Sequence, residues 1–150
     1  MNWTSADAAG LPILPGLVRF EEILAGRIDH ALRFTAARTR NAYVWPARRQ
    51  AGSTAAPDVP PMGQRFRLKA SVDVSAYSPT NQIILRALKT YGMIQAENDS
   101  NWFLSGTPDD RRDNDDLHEL QTGIRGSDFE AVDTSLLMID DHSGEASSEI

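Results

Sequence analysis

Apolar residues fall into helical spacing most clearly between Ser78 and Ser105, SPTNQIILRALKTYGMIQAENDSNWFLS, where Ile84, Leu85, Leu88 and Tyr91 recur at steps of three and four. Ser78 is a natural N-cap, because its hydroxyl can accept from an orphan amide of the first turn. Pro79 suits the first helical position, where its missing N–H had no partner to lose. Gly92 stands where a helix C-terminus needs positive φ, with Met93 and Ile94 behind it to pack back on the last turn. Met93–Glu97 and Asn101–Ser105 alternate as strands do, and Asn98-Asp99-Ser100 between them has turn chemistry, so the pattern predicts a tight β-hairpin. A helix followed by a hairpin must dock its apolar stripe on a sheet.

Elsewhere the pattern is shorter in period. Trp3–Pro15 holds two prolines and small-residue clusters, which predict an irregular entry segment. Val18–Ala25 reads as a short helix closed by Gly26. His30–Thr35 alternates, with Leu32 between His30 and Phe34 on one face and Ala31, Arg33 and Thr35 on the other. Ala42–Trp45 is a further strand, ended by Pro46, and Arg65–Val74 sets Phe66, Leu68 and Ala70 against Arg65, Arg67 and Lys69. Between them, Arg48–Pro61 is long enough to be either functional or mobile. Asp113–Gln121 predicts a short helix with an acidic first turn, and Asp128–Asp133 a last strand. Strands outnumber helices and follow one another through turns rather than in a βαβ rhythm. The expectation is α+β: a β-rich, mostly antiparallel sandwich-like or jelly-roll-like sheet with one main helix packed on it. Residues 1–139 form the single domain, and 140–150 have the composition of a disordered tail.

Composition narrows the chemistry. The 150 residues are 41% hydrophobic and 24% charged, ordinary for a soluble domain. No apolar run approaches the roughly 20 residues a membrane helix needs, and no secretory h-region follows Met1. Cysteine is absent, which removes disulfides, thiolate nucleophiles and cysteine zinc sites. The net charge of −6 is unevenly spread: Arg19–Lys69 holds ten basic residues against four acidic, and Glu97–Ile150 three against fifteen. The two halves can neutralise one another across one surface. The overall acidity argues against a nucleic-acid patch built on Arg33, Arg38, Arg40, Arg48 and Arg49.

No nucleophile elbow, zincin helix, Walker loop or dinucleotide fingerprint is present, so no cofactor and no metal is implied. Glu97-x-Asp99-x-Asn101 and the Asp109–Asp116 run offer oxygen ligands but lack the glycine and glutamate of an EF-hand. Turn and capping roles account for them without calcium. Carboxylates remain: Glu21, Glu22, Asp29 and Asp7 could supply an acid/base pair, which needs two carboxyls facing one cleft. His30 is the histidine placed in a strand. Trp3, Tyr43, Trp45, Tyr77 and Trp102 include rings beside loops and strand ends, where sugar-stacking platforms occur.

The segments WTSADAAGLPILPGLVRFEEI, HALRFT, AYVWPAR, VPPMGQRFRLKASVDVS, QIILRALKTYGMIQAENDSNWFLSG and GSDFEAVD together resemble an uncharacterised family of secreted soil-bacterial proteins, actinobacterial and acidobacterial among them. The resemblance runs to about Asp133. It implies an extracellular setting and a longer family pattern, of which this chain is the C-terminal portion, leaving an open sheet edge that favours a homodimer. Family members often carry histidine where this chain has Gln50.

The resulting expectation is an extracellular carbohydrate-active domain that binds, and as an enzyme would hydrolyse, a polysaccharide. Its candidate catalytic residues are Asp7, Glu22 and His30, and its candidate substrate contacts are Trp45, Trp102 and Arg33. The expected partner is an extracellular glycan, with neither nucleic acid nor membrane insertion. The alternative is a non-catalytic structural or interaction module of the cell envelope.

Overall fold

The computed structural model describes residues 6–100, 103–107 and 114–148. In chain order its helices are α1 (Phe20–Ala25), α2 (Pro79–Thr90) and α3 (Asn114–Gly123). Its strands are β1 (Leu32–Ala36), β2 (Arg40–Tyr43), β3 (Pro61–Met62), β4 (Arg65–Leu68), β5 (Met93–Asn98), β6 (Phe103–Leu104) and β7 (Phe129–Val132). The strands form a five-stranded sheet in the order β6-β1-β5-β4-β7 and a two-stranded parallel sheet of β2 and β3. In the larger sheet only β1 and β5 run parallel; the other neighbours are antiparallel. The α+β class and the main helix on a mostly antiparallel sheet are as the sequence predicts.

Helix α2 forms where its local signals say it should. Ser78 Oγ accepts from the Asn81 N–H at 3.1 Å, and Pro79 occupies the first turn. Ile84, Leu85 and Leu88 are fully buried against Leu32, Phe34, Leu68, Met93 and Phe129. Each such side chain contributes about 1.5–3 kcal/mol by leaving water. Phe34 and Phe66 meet edge to face, with centroids 5.9 Å apart. At the far end, Arg65 of β4 donates to the Tyr91 carbonyl through Nε (2.6 Å) and Nη2, which ties the helix terminus to the sheet.

The expected hairpin of β5 and β6 does not form. Strand β1 lies between them, parallel to β5 (Leu32 opposite Met93) and antiparallel to β6 (Phe34 opposite Leu104). The Asn98-Asp99-Ser100 turn reverses the chain but does not dictate which strand fills the gap. Leu32 and Phe34 make β1 the better central strand, because they are buried beneath α2. Strand β4 is also shorter than its alternation. After Leu68 the chain turns, and Lys89 Nζ on α2 holds the turn through the carbonyls of Ala70 (3.1 Å) and Val72 (2.5 Å).

Opposite α2, the other face of β1 is covered by the N-terminal loop. Ala9 N–H donates to Ala96 O (3.0 Å), and Ala9, Ala47 and Met62 form a second small apolar cluster there. The long connection after β2 is pinned: Arg48 N–H donates to Ala9 O (2.8 Å), Asn41 N–H to Thr54 O (2.7 Å) and Asn98 Nδ2 to Ala51 O (2.5 Å). The C-terminal segment folds back, with Met138 bridged to Ala146.

Gly92 has φ +76°, and a Cβ there would lie 2.3 Å from the Phe66 carbonyl oxygen. Gly92→Ala should therefore lower stability in urea by at least ~1 kcal/mol, the strain and the clash adding. An unchanged midpoint would mean that β4 and the helix end can separate freely.

Candidate functional site

Arg19 sits at the N-cap of α1 and Glu22 one turn inside. The Arg19 N–H donates to Glu22 Oε2 at 3.0 Å, and its guanidinium Nη2 to Oε1 at 2.7 Å. This is a capping box closed by a salt bridge. The helix ends at Gly26, whose φ of +78° lets the chain turn back alongside it. That reversal carries His30 to Glu22, with Nε2 3.0 Å from Oε1. The other ring nitrogen, Nδ1, lies 2.9 Å from the Ala31 carbonyl oxygen. A carbonyl only accepts, so a hydrogen bond at Nδ1 is one that the ring donates.

The side chains of Glu22 and His30 are only 16% and 22% exposed. Burial is the largest influence on the Glu22 carboxyl and pushes it upward. Against it work the Arg19 side-chain and backbone hydrogen bonds and the nearby His30 and Arg19 charges, which together hold it below the ordinary glutamate range.

These groups line an open cleft of about 960 Å³. Leu14 and Pro15 form one wall, and Arg19, Glu21, Glu22 and Ala25 of the α1 region another. Arg27, Asp29 and His30 of the following loop, together with Thr107, complete it. Arg27 and Asp29 pair at 2.9 Å, well exposed on the rim. Both are available to a ligand, since such a surface pair contributes little by itself.

The structure thus brings together Glu22 and His30 of the sequence-derived candidates, with Glu21 and Asp29 beside them. Asp7 is elsewhere. Its side chain is 1% exposed; Oδ1 accepts from the Leu11 N–H (2.9 Å) and Oδ2 from Arg33 Nη2 (3.2 Å). Arg33 is a strut beneath the surface, 12% exposed at its side chain, and also donates to Ser105 Oγ at 3.2 Å. It passes directly under the Leu14–Gly16 turn, where a side chain on Gly16 would meet Arg33 Cβ at 3.1 Å. Burial, its largest influence, raises the Asp7 carboxyl above the ordinary range; the Leu11 amide and Arg33 pull it down, and Glu97 adds to the rise. Trp45 is half-buried and does not line the cleft. Trp3 and Trp102 lie outside the described residues. Besides Arg27, sequence reasoning missed the cleft-lining Arg19. Its signal was the three-residue step to Glu22 at a helix start, hidden by placing that start at Val18.

Among the described residues no three carboxylate or imidazole groups converge on a metal-sized site. The Glu97 carboxylate accepts from the Ala8 and Asn98 amides and that of Asp99 from the Ser100 amide, while Asn101 lies outside the described residues. Among the described residues no helix is long and apolar enough to cross a membrane. No protein-family model matches the chain, and no curated protein and no solved structure matches it.

Two expectations follow. Removing the Asp7 carboxylate leaves Arg33 charged and buried without its partner, so Asp7→Ala should lower stability by about 3–5 kcal/mol. Chemical denaturation of Asp7→Ala alone and with Arg33→Met would check it, the double variant recovering part of the loss. For Glu22, a folded value below the unfolded one (about 4.3) means that stability is present above that pH and is lost as pH falls through the folded value. The stability difference between wild type and Glu22→Gln should therefore narrow on acidification, and a difference that stayed constant to low pH would contradict the depressed carboxyl.

Proposed function

We propose that the chain is an extracellular carbohydrate-active domain that binds polysaccharide in the Arg19–Glu22–His30 cleft. The observation that carries this reading is the Glu22–His30 contact on the wall of a cleft ringed by Glu21, Arg27 and Asp29. Planar carboxylate, guanidinium and imidazole groups pair with sugar hydroxyls in both directions, as donors and as acceptors. The extracellular setting comes from the resemblance in sequence.

Hydrolysis would need two carboxyls across one cleft, and Glu21, Glu22 and Asp29 line this one. Held below the ordinary range, Glu22 suits the role of base rather than that of proton donor. Binding is accordingly the leading activity and bond cleavage the secondary one. The rival reading is a non-catalytic cell-envelope module, favoured by one observation: the Glu22 oxygens already accept from the Arg19 amide and guanidinium and face His30, as a purely structural cap would. In that reading the β7 edge of the sheet, paired with β4 on one side, is where a second copy would add.

Retention on soluble and insoluble polysaccharides, with reducing-end release measured in parallel, tests the proposal. Binding should fall about tenfold or more in Arg27→Ala and Asp29→Ala, the worth of a charged hydrogen bond. No retention and no release across the panel would sink it. Retention unaffected by either substitution would move the site elsewhere.

A further inference from the structure

Trp45 meets the acidic C-terminal segment. The indole Nε1–H donates to the Ser143 carbonyl at 2.8 Å, and Thr134 Oγ1–H donates to the Trp45 carbonyl at 3.2 Å. The segment is closed on itself by the Met138–Ala146 bridge and by the Ser147 N–H, 2.8 Å from Leu137 O. His142 N–H on Asp140 Oδ1 (2.8 Å) shapes its tip. Asp140 also lies within electrostatic reach of Arg48, three residues after Trp45.

What the segment lacks is apolar anchorage. Leu136 and Ile139 at its base are 92% and 59% exposed, and Asp140, Asp141 and Glu145 face solvent. A loop held by single hydrogen bonds and an exposed charge contact belongs to the least stable part of a fold. Beneath it lie an aromatic ring with one N–H donor and, close by, the exposed cation of Arg48, whose backbone is fixed by Ala9 O.

We propose that residues 140–147 are a displaceable acidic strap over a Trp45–Arg48 subsite, and that the polymer which displaces it is an acidic polysaccharide of the polyuronate class. The strap offers that surface a carbonyl oxygen for the indole and a carboxylate for the guanidinium. A uronate unit presents an acceptor oxygen, hydroxyl or ring, and a carboxylate, and the polymer has C–H faces that can lie on an indole. Nucleic acid also brings anions and stacking faces. The anion that the strap itself sets near Arg48 is a carboxylate, however, a group that a uronate carries and a nucleic acid does not. The proposal rests on the glycan-binding reading and names its ligand class, at a subsite separate from the cleft.

The test uses the full chain, a version lacking Asp140–Ile150, and Asp140→Asn as a mild variant that keeps the whole segment. Each is titrated at low salt with polygalacturonate, neutral dextran and a thymidine oligonucleotide. The Trp45 indole N–H is followed by NMR and assigned through Trp45→Phe. Polygalacturonate should shift the indole signal together with the amides of residues 140–147. Truncation should tighten its binding by about tenfold, the worth of one hydrogen bond and one exposed ion pair. Asp140→Asn should move affinity the same way by less, and dextran should not respond to either change. Equal polygalacturonate affinity in full and truncated chains, with an unmoved indole signal, would overturn the strap. Displacement by the oligonucleotide alone would overturn the polyuronate assignment. Polysaccharide binding that is sensitive to Asp29→Ala but blind to truncation would leave the cleft reading standing and this one refuted. Strap displacement, with retention of every polysaccharide blind to Arg27→Ala and Asp29→Ala, would keep this subsite and refute the cleft, and no binding by any form would remove both.

Discussion

Everything on this molecule is hung from the two hydrogen-bonded edges of β1. A central strand must pair on both sides, and β1 does so with β5 and β6, two segments that follow each other in sequence but never touch as partners. Its pleat then sorts the neighbourhood. Leu32 and Phe34 go under α2, while Arg33 reaches Asp7 of the N-terminal loop and the Thr35 hydroxyl donates to the Ser100 carbonyl. His30, two residues before the strand begins, is delivered to Glu22 by the same placement. Core, buried ion pair and cleft are three consequences of one strand position.

The two charged clusters on either side of the Leu14–Gly16 turn have opposite characters. Asp7 and Arg33 are withdrawn from water, so their pairing is a matter of fold: the attraction is strong, the desolvation cost is large, and losing either partner hurts more than the pair helps. Glu22, Arg19 and His30 keep partial access to solvent and line a cleft. A ligand can exchange hydrogen bonds there without unmaking the core. The turn between them lies on the inner pair, with Gly16 packed against the Arg33 side chain.

What could be seen in the sequence was what is decided within a few residues. The Ser78–Pro79 start, the Ile84-Leu85-Leu88 stripe and the Gly92 stop all act locally, and α2 forms as its residues say. Glycine at 26 was equally legible as a helix end. That it folds His30 onto Glu22 was not, because an eight-residue step across a reversal has no periodic signature. Asp7 and Glu22 looked alike as carboxylates. Their difference lies in burial, which depends on the loop packing of residues 7–11 and on Arg33 arriving from a distant strand. The alternation through Val74 overstated β4, because alternation persists in the sequence after Lys89 has drawn the chain away from the sheet.

The insertion of β1 between β5 and β6 also sets an order of events as the chain emerges and folds. Strand β1 is made early, yet Leu32 precedes its partner Met93 by 61 residues and Phe34 precedes Leu104 by 70, so its apolar face waits for both neighbours. Closing that ladder demands long-range loop closure rather than the quick zipping of a hairpin, a topology that slows folding relative to local pairing. Until β6 arrives, Leu32 and Phe34 are the surface most in need of shelter from other chains.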